Sequence, residues 1–363
     1  MRSTCTRVLV IALLSRAGTT FAQVPAAPSP WTRWGTDINL LLDGYMDGNF
    51  NNPACGYNGL RNFDLRSNTA HLSLALASLE RAPAPVGFHL DVGFGQTLDV
   101  VHATDQAPGE LKYLQQAYVE LKPKSWKGLQ VDAGEFVTAA GAEVVETNQN
   151  WNYSRSLLFA WAIPYYHLGI RASFPVGAHF TGGVQLVNGW NNVQADNCGK
   201  TIGLNGAYAW KNATWTSVYY GGPENDRTHR ALRHLYDTTV LVNLSDRLSY
   251  YVNFTCGRDN ALARGIRRWT GLAAAARLSF AKRYALASRL EWFDDLDGFA
   301  TGAAQQVKEF TLTGERKMAG WLVGRLEFRD DWSNRAFFET THRLSKNQPT
   351  VLLGMLASLG RQK

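Results

Sequence analysis

The chain has 363 residues, with 37 Lys and Arg against 30 Asp and Glu and a formal net charge of +7. Only 18% of residues are charged and 12% are aromatic, yet the mean hydropathy is a slightly polar −0.23; a barrel with an apolar outside and a wet inside reconciles these figures. The basic excess is spread over turns, loops and alternating positions, which argues against a nucleic-acid partner, because such a partner wants Lys and Arg gathered on one patch.

Residues 1–22 combine a basic start (Arg2, Arg7), an apolar run from Val8 to Leu14 and a small-residue exit at Thr20, Phe21 and Ala22. That is the pattern of a secretory signal peptide cut before Gln23. The run is shorter than the roughly 20 apolar residues of a membrane helix, and no later stretch of that length lacks both charge and Pro. Cleavage removes Arg2, Arg7 and Arg16 and lowers the formal charge to +4. Cys5 precedes the apolar run, which speaks against a lipid anchor. Cys55, Cys198 and Cys256 remain, each near an expected outer loop; at most one pair can bridge, and zinc-ligand spacings are absent.

Residues 23–35 form a Pro-rich lead-in, too short for a plug domain of the kind a gated transporter would need. From residue 36 onward the hydrophobic pattern has period two, the strand signature. In FHLDVGF, Phe88, Leu90, Val92 and Phe94 face one way while His89, Asp91 and Gly93 face the other. In LVGRLEF, Leu322, Gly324, Leu326 and Phe328 oppose Val323, Arg325 and Glu327, and Arg329 continues the second set. The pattern predicts strands over 36–47, 68–79, 86–96, 111–122, 127–137, 166–174, 178–188, 200–210, 213–221, 233–243, 246–256, 267–280, 284–293, 305–315, 321–330 and 349–359. The chain ends LASLGRQK without the aromatic residue that commonly assists barrel insertion, so either the last strand stops at Leu359 with a short tail or insertion is less efficient than usual. Short connections such as RAPAPVG, FPVGA and FAKRY alternate with long ones such as GPENDRTHRAL, as periplasmic turns alternate with outer loops in bacterial outer-membrane barrels. The expected fold is therefore all-β, an antiparallel up-and-down barrel of about 16 strands over 36–363. Trp126, Trp210 and Trp321 beside short turns, and Trp190, Trp269, Trp292 and Trp332 at loop ends, suggest two aromatic belts.

The longest gap between strands is 139–167, AAGAEVVETNQNWNYSRSLLFAWAIPYYH. Its part SLLFAWAIPYY is too apolar to lie in water and needs a surface to bury against, so the segment is expected to fold back into the mouth of the barrel. A barrel of this width leaves an aqueous channel, and the narrowest ring sets its selectivity. On the later strands the inward face carries Arg277, Arg289, Glu291, Glu309, Arg325, Glu327 and Arg329; each Arg turned toward lipid near the midplane would cost about 2–4 kcal/mol. Opposite this wall the segment would set Glu143 and Glu146, an acidic loop facing a basic wall, with Arg155 belonging either to the eyelet or to the loop's own packing. A plainer reading keeps both glutamates as solvated outer-loop carboxylates and lets the wall charges pair across strands.

Several of these residues also carry a resemblance. Gly134 to Phe136 at a strand end, Glu143 with Glu146, the Tyr-Ser-Arg-Ser block Tyr153 to Ser156, and Ile163-Pro164 between aromatic residues resemble the OmpL-like β-barrel porins of bacterial outer membranes. The similarity continues through RLEWFDDLDG and LVGRLEFRDD. It implies a porin of the outer membrane that passes small hydrophilic solutes by passive diffusion, has outer-membrane lipid around it, and needs no cofactor. Wide porins commonly assemble as trimers, so a homotrimer is the expectation. Other motifs are weak. Asp294, Asp295, Asp297 and Gly298 look like the start of a calcium loop that lacks its bidentate Glu, and an exposed turn explains them. No nucleophile, metalloprotease or phosphate-loop motif is present. The competing functions are an outer-membrane hydrolase using His89, Asp91 and Ser73, and a structural or adhesive surface protein.

Overall fold

A computed structural model describes residues 30–105, 109–194, 199–224, 231–261 and 265–360. The expected signal peptide, most of the lead-in and Cys198 lie outside them.

Sixteen long strands form the wall. In chain order they are β1 Thr36–Asn49, β2 Ala70–Arg81, β3 Val86–Phe94, β4 Leu114–Leu121, β5 Gln130–Val137, β6 Tyr166–Val176, β7 Phe180–Val187 and β8 Thr201–Ala209. The second half comprises β9 Ala213–Pro223, β10 Leu232–Asn243, β11 Leu248–Ala261, β12 Gly265–Ala281, β13 Tyr284–Asp295, β14 Gln305–Lys317, β15 Leu322–Ser333 and β16 Asn347–Gly360. Each pairs antiparallel with the next, and β16 closes on β1 with Leu353 opposite Met46. Closure removes the open edges that a sheet of this size would otherwise expose. All sixteen coincide with the strands expected from period two, with ends displaced by a few residues.

Alternation explains the cross-section. On β15, Leu326 is 59% and Phe328 39% exposed, whereas Arg325, Glu327 and Arg329 are buried. Apolar side chains coat the outside, and charged ones occupy the inward face. Glycines appear where the backbone demands them. Gly134 sits at φ 136°, where a side chain would strain the backbone, and a Cβ there would stand 2.2 Å from the Ala117 carbonyl oxygen.

Three expectations need correction. The strict alternation of short and long connections breaks at β11 and β12, which stay paired as far as Ala261 and Gly265. Their polar residues Arg258, Asp259, Arg267 and Arg268 continue the ladder beyond the apolar band, and a hydropathy pattern does not report pairing there. Between β3 and β4 a short helix, α1 (Gln96–Val101), packs Leu98 against Leu41, Leu74 and Leu76. The outer belt also loses Trp269, which is buried, stacks on Phe299 with ring centroids 4.4 Å apart, and donates from Nε1 to the Ala162 carbonyl at 3.0 Å. It lies on the inward side of β12. Trp126, Trp210, Trp321 and Trp332 do stand exposed.

The largest apolar cluster joins the 50–69 connection, through Leu60 and Phe63, to Val145, Leu157, Leu158, Phe159, Ile163 and Tyr165 of the long segment. Trp269, Phe293 and Val307 complete it from the wall. Burying side chains of this kind contributes about 2 kcal/mol each, which accounts for the apolar character of SLLFAWAIPYY.

Candidate functional site: the 139–167 segment and the wall it meets

The segment contains little regular structure, so its main-chain groups need partners from elsewhere. Its base is closed by the Thr138 N–H donating to the Tyr165 carbonyl at 2.9 Å. Within it stand a 3₁₀ turn at Thr147–Gln149 and a single π-type turn at Leu158–Ala162. Neither satisfies the remaining donors and acceptors. Wall side chains supply what is missing.

Wall carboxylates take the N–H groups. Glu327 accepts from Tyr153 N at 2.6 Å and Ser154 N at 2.9 Å. Glu291 accepts from Leu157 N at 3.0 Å and Leu158 N at 3.2 Å, the orphan donors where the π-type turn begins. Asp237 on β10 accepts from Gly141 N at 2.8 Å. Arginines take the carbonyls. Arg325 donates to Thr147 O at 2.9 Å, Asn152 O at 3.0 Å and Asn150 O at 2.7 Å. Arg289 donates to Ser154 O at 2.8 Å, and Arg329 to Arg155 O at 2.6 Å. On β1, Asp43 accepts from the Tyr153 hydroxyl at 2.7 Å and from the Thr147 hydroxyl. Charge-assisted bonds of this kind are short and about twice as strong as neutral ones.

Shape follows the same plan. A Cβ on Gly354 of β16 would stand 2.3 Å from the Tyr153 ring, and one on Gly271 of β12 2.7 Å from Leu158 Cδ1. The two glycines are the sockets into which the segment's side chains fit.

Charges continue the contact as a ladder. Glu143 Oε1 lies 2.7 Å from Arg289 Nη1, whose Nε is 3.1 Å from both Glu291 and Glu309. Glu309 stands 3.7 Å from Arg329, Arg329 2.8 Å from Asp331, and Asp331 2.8 Å from Arg61 of the 50–69 connection. Arg61 ends the run on Asp64 at 2.5 Å. Apart, Arg325 pairs with Glu315 at 2.9 Å, and Arg277 reaches the same carboxylate at 2.7 Å.

The sequence reading set an acidic loop across a gap from a basic wall; Glu143 and Arg289 are instead in direct contact. Nor is the wall basic: Arg277, Arg289, Arg325 and Arg329 each have a wall carboxylate beside them. Arg155 belongs to the loop's own packing, donating to Val144 O at 2.9 Å, Val145 O at 2.5 Å and Tyr153 O, with Phe63 beneath it at 4.9 Å. Burial pushes the Arg155 guanidinium pKa down, since carbonyls and a ring replace water around it. Glu146 is buried as a residue, its carboxylate makes no hydrogen bond to a described residue, and its carbonyl accepts from the Gln149 N–H and from the Asn150 side-chain amide, both at 3.1 Å.

Residues missing from the sequence reading include Asp43, Arg61, Asp64, Asp237, Asp331 and Glu315. Asp43 had a signal, since it sits on the charged parity of LLLDGYMD. Arg61 and Asp64 had none, because their partners are fixed by how a connection folds.

The other motifs resolve simply. Asp295 accepts from Phe299, Ala300 and Thr301 N–H at 2.8, 3.0 and 2.7 Å, so DDLDG is a self-capped turn. Ser73 Oγ lies 2.9 Å from Thr97 Oγ1, while His89 Nε2 lies 2.8 Å from Asp91, so the serine and the histidine do not form a nucleophile and base pair. Cys55 and Cys256 are free thiols. No group of three or more His, Cys, Asp or Glu among the described residues is placed to hold a metal ion.

On β2 to β6 the inward face is arranged differently. The rings of His89 and Tyr118 stack at 5.3 Å, and Arg171 lies 5.0 Å over Tyr118 and 4.4 Å over Phe136 while pairing with Asp132 at 2.8 Å.

Comparison with curated protein sequences returns no match. Solved structures do match in fold. The anion-selective porin from Comamonas acidovorans superposes with a TM-score of 0.61 at 9% identity, covering 89% of this chain and 99% of that one. OmpT of Vibrio cholerae in its trimer form gives 0.60 at 11% identity over 89% and 99%. Pseudomonas putida OprB gives 0.59 at 14% identity over 90% and 94%. Identities this low show a shared fold alone. The family model described as "Putative beta-barrel porin-2, OmpL-like" matches residues 35–359. With nearly the whole wall covered by that match, the chain belongs to the OmpL-like β-barrel porins of the bacterial outer membrane.

Proposed function

We propose that this protein is a water-filled channel through which small hydrophilic solutes cross the outer membrane by passive diffusion, narrowed by the 139–167 segment. The single observation that carries the narrowing is the bonding of that segment's main chain to side chains on the inward face, from Asp237 on β10 to Arg329 on β15. A sixteen-stranded wall is wide enough to leave an aqueous passage beside it. In this reading Arg155, Arg289, Glu291, Glu309, Arg325, Glu327 and Arg329 fasten the constriction. The solute meets side chains that keep some exposure, Arg277 at 18%, Arg171 at 18% and Glu80 at 30%. The protein acts as a conduit, not an enzyme, in keeping with the separate partners of Ser73 and His89.

Single-channel conductance of the purified full-length protein in planar bilayers tests this. Deleting Glu143 to Asn150 is expected to raise conductance, because it removes part of the constriction and leaves every strand intact. Conductance equal to the parent's would place the constriction elsewhere; no conductance in either protein would remove the channel reading.

We also propose a homotrimer, supported by the fold match to a porin solved in a trimer form. Native mass measurement yielding monomers alone would overturn it.

A further inference from the structure

The apolar outer wall is notched near the short-turn ends of β13 to β16. Gly314 on β14 and Gly324 on β15 both lie at outward positions, and their missing side chains leave a groove of about 270 Å³ lined by Phe280, Tyr284, Leu286, Met318, Leu326 and Leu353. All six are exposed large hydrophobic side chains. Glu315 and Arg325, which also border the groove, are engaged with each other at 2.9 Å on the inward side.

Arg316 borders this groove, Lys282 and Arg283 lie exposed in the adjoining turn, and Lys317 follows on the inward parity of Glu315. The Arg316 guanidinium lies 5.7 Å from the Tyr284 ring centroid. The Lys317 N–H donates to the Arg283 carbonyl at 2.8 Å, which brings the turn carrying Lys282 and Arg283 beside the strand end carrying Arg316 and Lys317. None of these four side chains has an ion-pair partner among the described residues, and Glu315, the adjacent carboxylate, is taken by Arg277 and Arg325.

We propose that this corner binds one anionic glycerophospholipid of the periplasmic leaflet, an acyl chain in the groove and the phosphate against Arg316 with Lys282 and Arg283 of the adjoining turn. Hydrocarbon fills an apolar notch that water fills badly, and basic residues at headgroup level attract lipids of net negative charge. Tyr284 stands where an amphipathic ring marks the interface. A zwitterionic lipid would bring its own ammonium group beside Arg316, Lys282 and Arg283. A second copy of the chain would bury those cations without partners, which is costly.

Native mass spectrometry of the detergent-purified full-length protein tests the site, with phosphatidylglycerol and phosphatidylethanolamine added in competition. The wild type should retain phosphatidylglycerol at about tenfold lower added concentration. Combining Arg316→Glu with Arg283→Glu should abolish the preference. Gly314→Leu should weaken retention several-fold, since a Cβ there meets nothing closer than 3.9 Å and the added side chain fills the groove. Equal retention of the two lipids by the wild type overturns the proposal without any variant. Disulfide-linked pairs formed in membranes by Leu353→Cys, in a background lacking the natural cysteines, would give the groove to a second copy and overturn it as well.

Discussion

Arg289 and Arg171 both project from the inward face of the same barrel, and each sits within 2.8 Å of a carboxylate. Arg289 is fully buried, has three glutamates around it, and donates to the carbonyl of Ser154. Arg171 keeps 18% of its side chain exposed, pairs with Asp132 on the neighbouring strand, and covers two aromatic rings. The difference lies in what else each can reach. On β13 and β15 the charges face a main chain that has no sheet partner, and the same guanidinium that balances a wall carboxylate also satisfies an orphan carbonyl. On β5 and β6, Asp132 and Arg171 instead pair across strands. Charge on the inward face of this barrel therefore has two arrangements, bonded to an irregular main chain on one side and paired across strands on the other.

The strongest test of that division is Arg289→Ala. It leaves Glu143, Glu291 and Glu309 buried without their shared cation, and breaking one member out of a buried ionic group typically costs about 3–5 kcal/mol. Limited proteolysis should cut within 139–167, and single-channel records should become noisy while the barrel stays folded. A silent Arg289→Ala would erase the distinction between the two sides. Gly354→Val should follow in size. Its added carbons meet the Tyr153 ring, and overpacking of this kind costs about 1–3 kcal/mol, so the segment should be displaced and conductance altered with no change in charge. Arg171→Ala should leave the segment resistant to protease but shift ion selectivity toward cations, because the loss of a partly exposed positive charge acts on ions within the roughly 8 Å screening length. Equal selectivity shifts from Arg171→Ala and Arg289→Ala would contradict the division. Glu146→Gln should have the smallest effect on the seating of the segment, since the exchange keeps the shape of the side chain and its carboxylate accepts no hydrogen bond from a described residue; a large loss of thermal stability would show that it fastens the segment.

Strand positions were legible because period two is a local signal, renewed every second residue, and among the described residues register shifts interrupt the ladders only near Asp43, Asp91 and Ser279. Parity on β13 and β15 even identified Arg289, Glu291, Arg325, Glu327 and Arg329 as inward. What they do there was not legible. A parity argument shows that Arg289 faces inward but not that Ser154 waits for it, and the sequence reading accordingly set loop and wall across a gap where they touch. Trp269 failed for a related reason. Its place at a strand end suited a belt, and only the fold shows Phe299 and the Ala162 carbonyl on its inward side.

The separations along the chain between the segment and its anchors carry a consequence for assembly. Leu157 is 134 residues from Glu291, and Thr147 is 178 residues from Arg325. Contacts this distant in sequence form late, since chain closure must precede them. The segment emerges before its anchors are synthesised, and its main chain stays unsatisfied until β13 to β15 have joined the wall. Docking of Tyr153 into the Gly354 socket further requires the final strand. A barrel still lacking its last hairpins would carry this segment loose and open to protease, so seating of the segment reports that the cylinder has been completed.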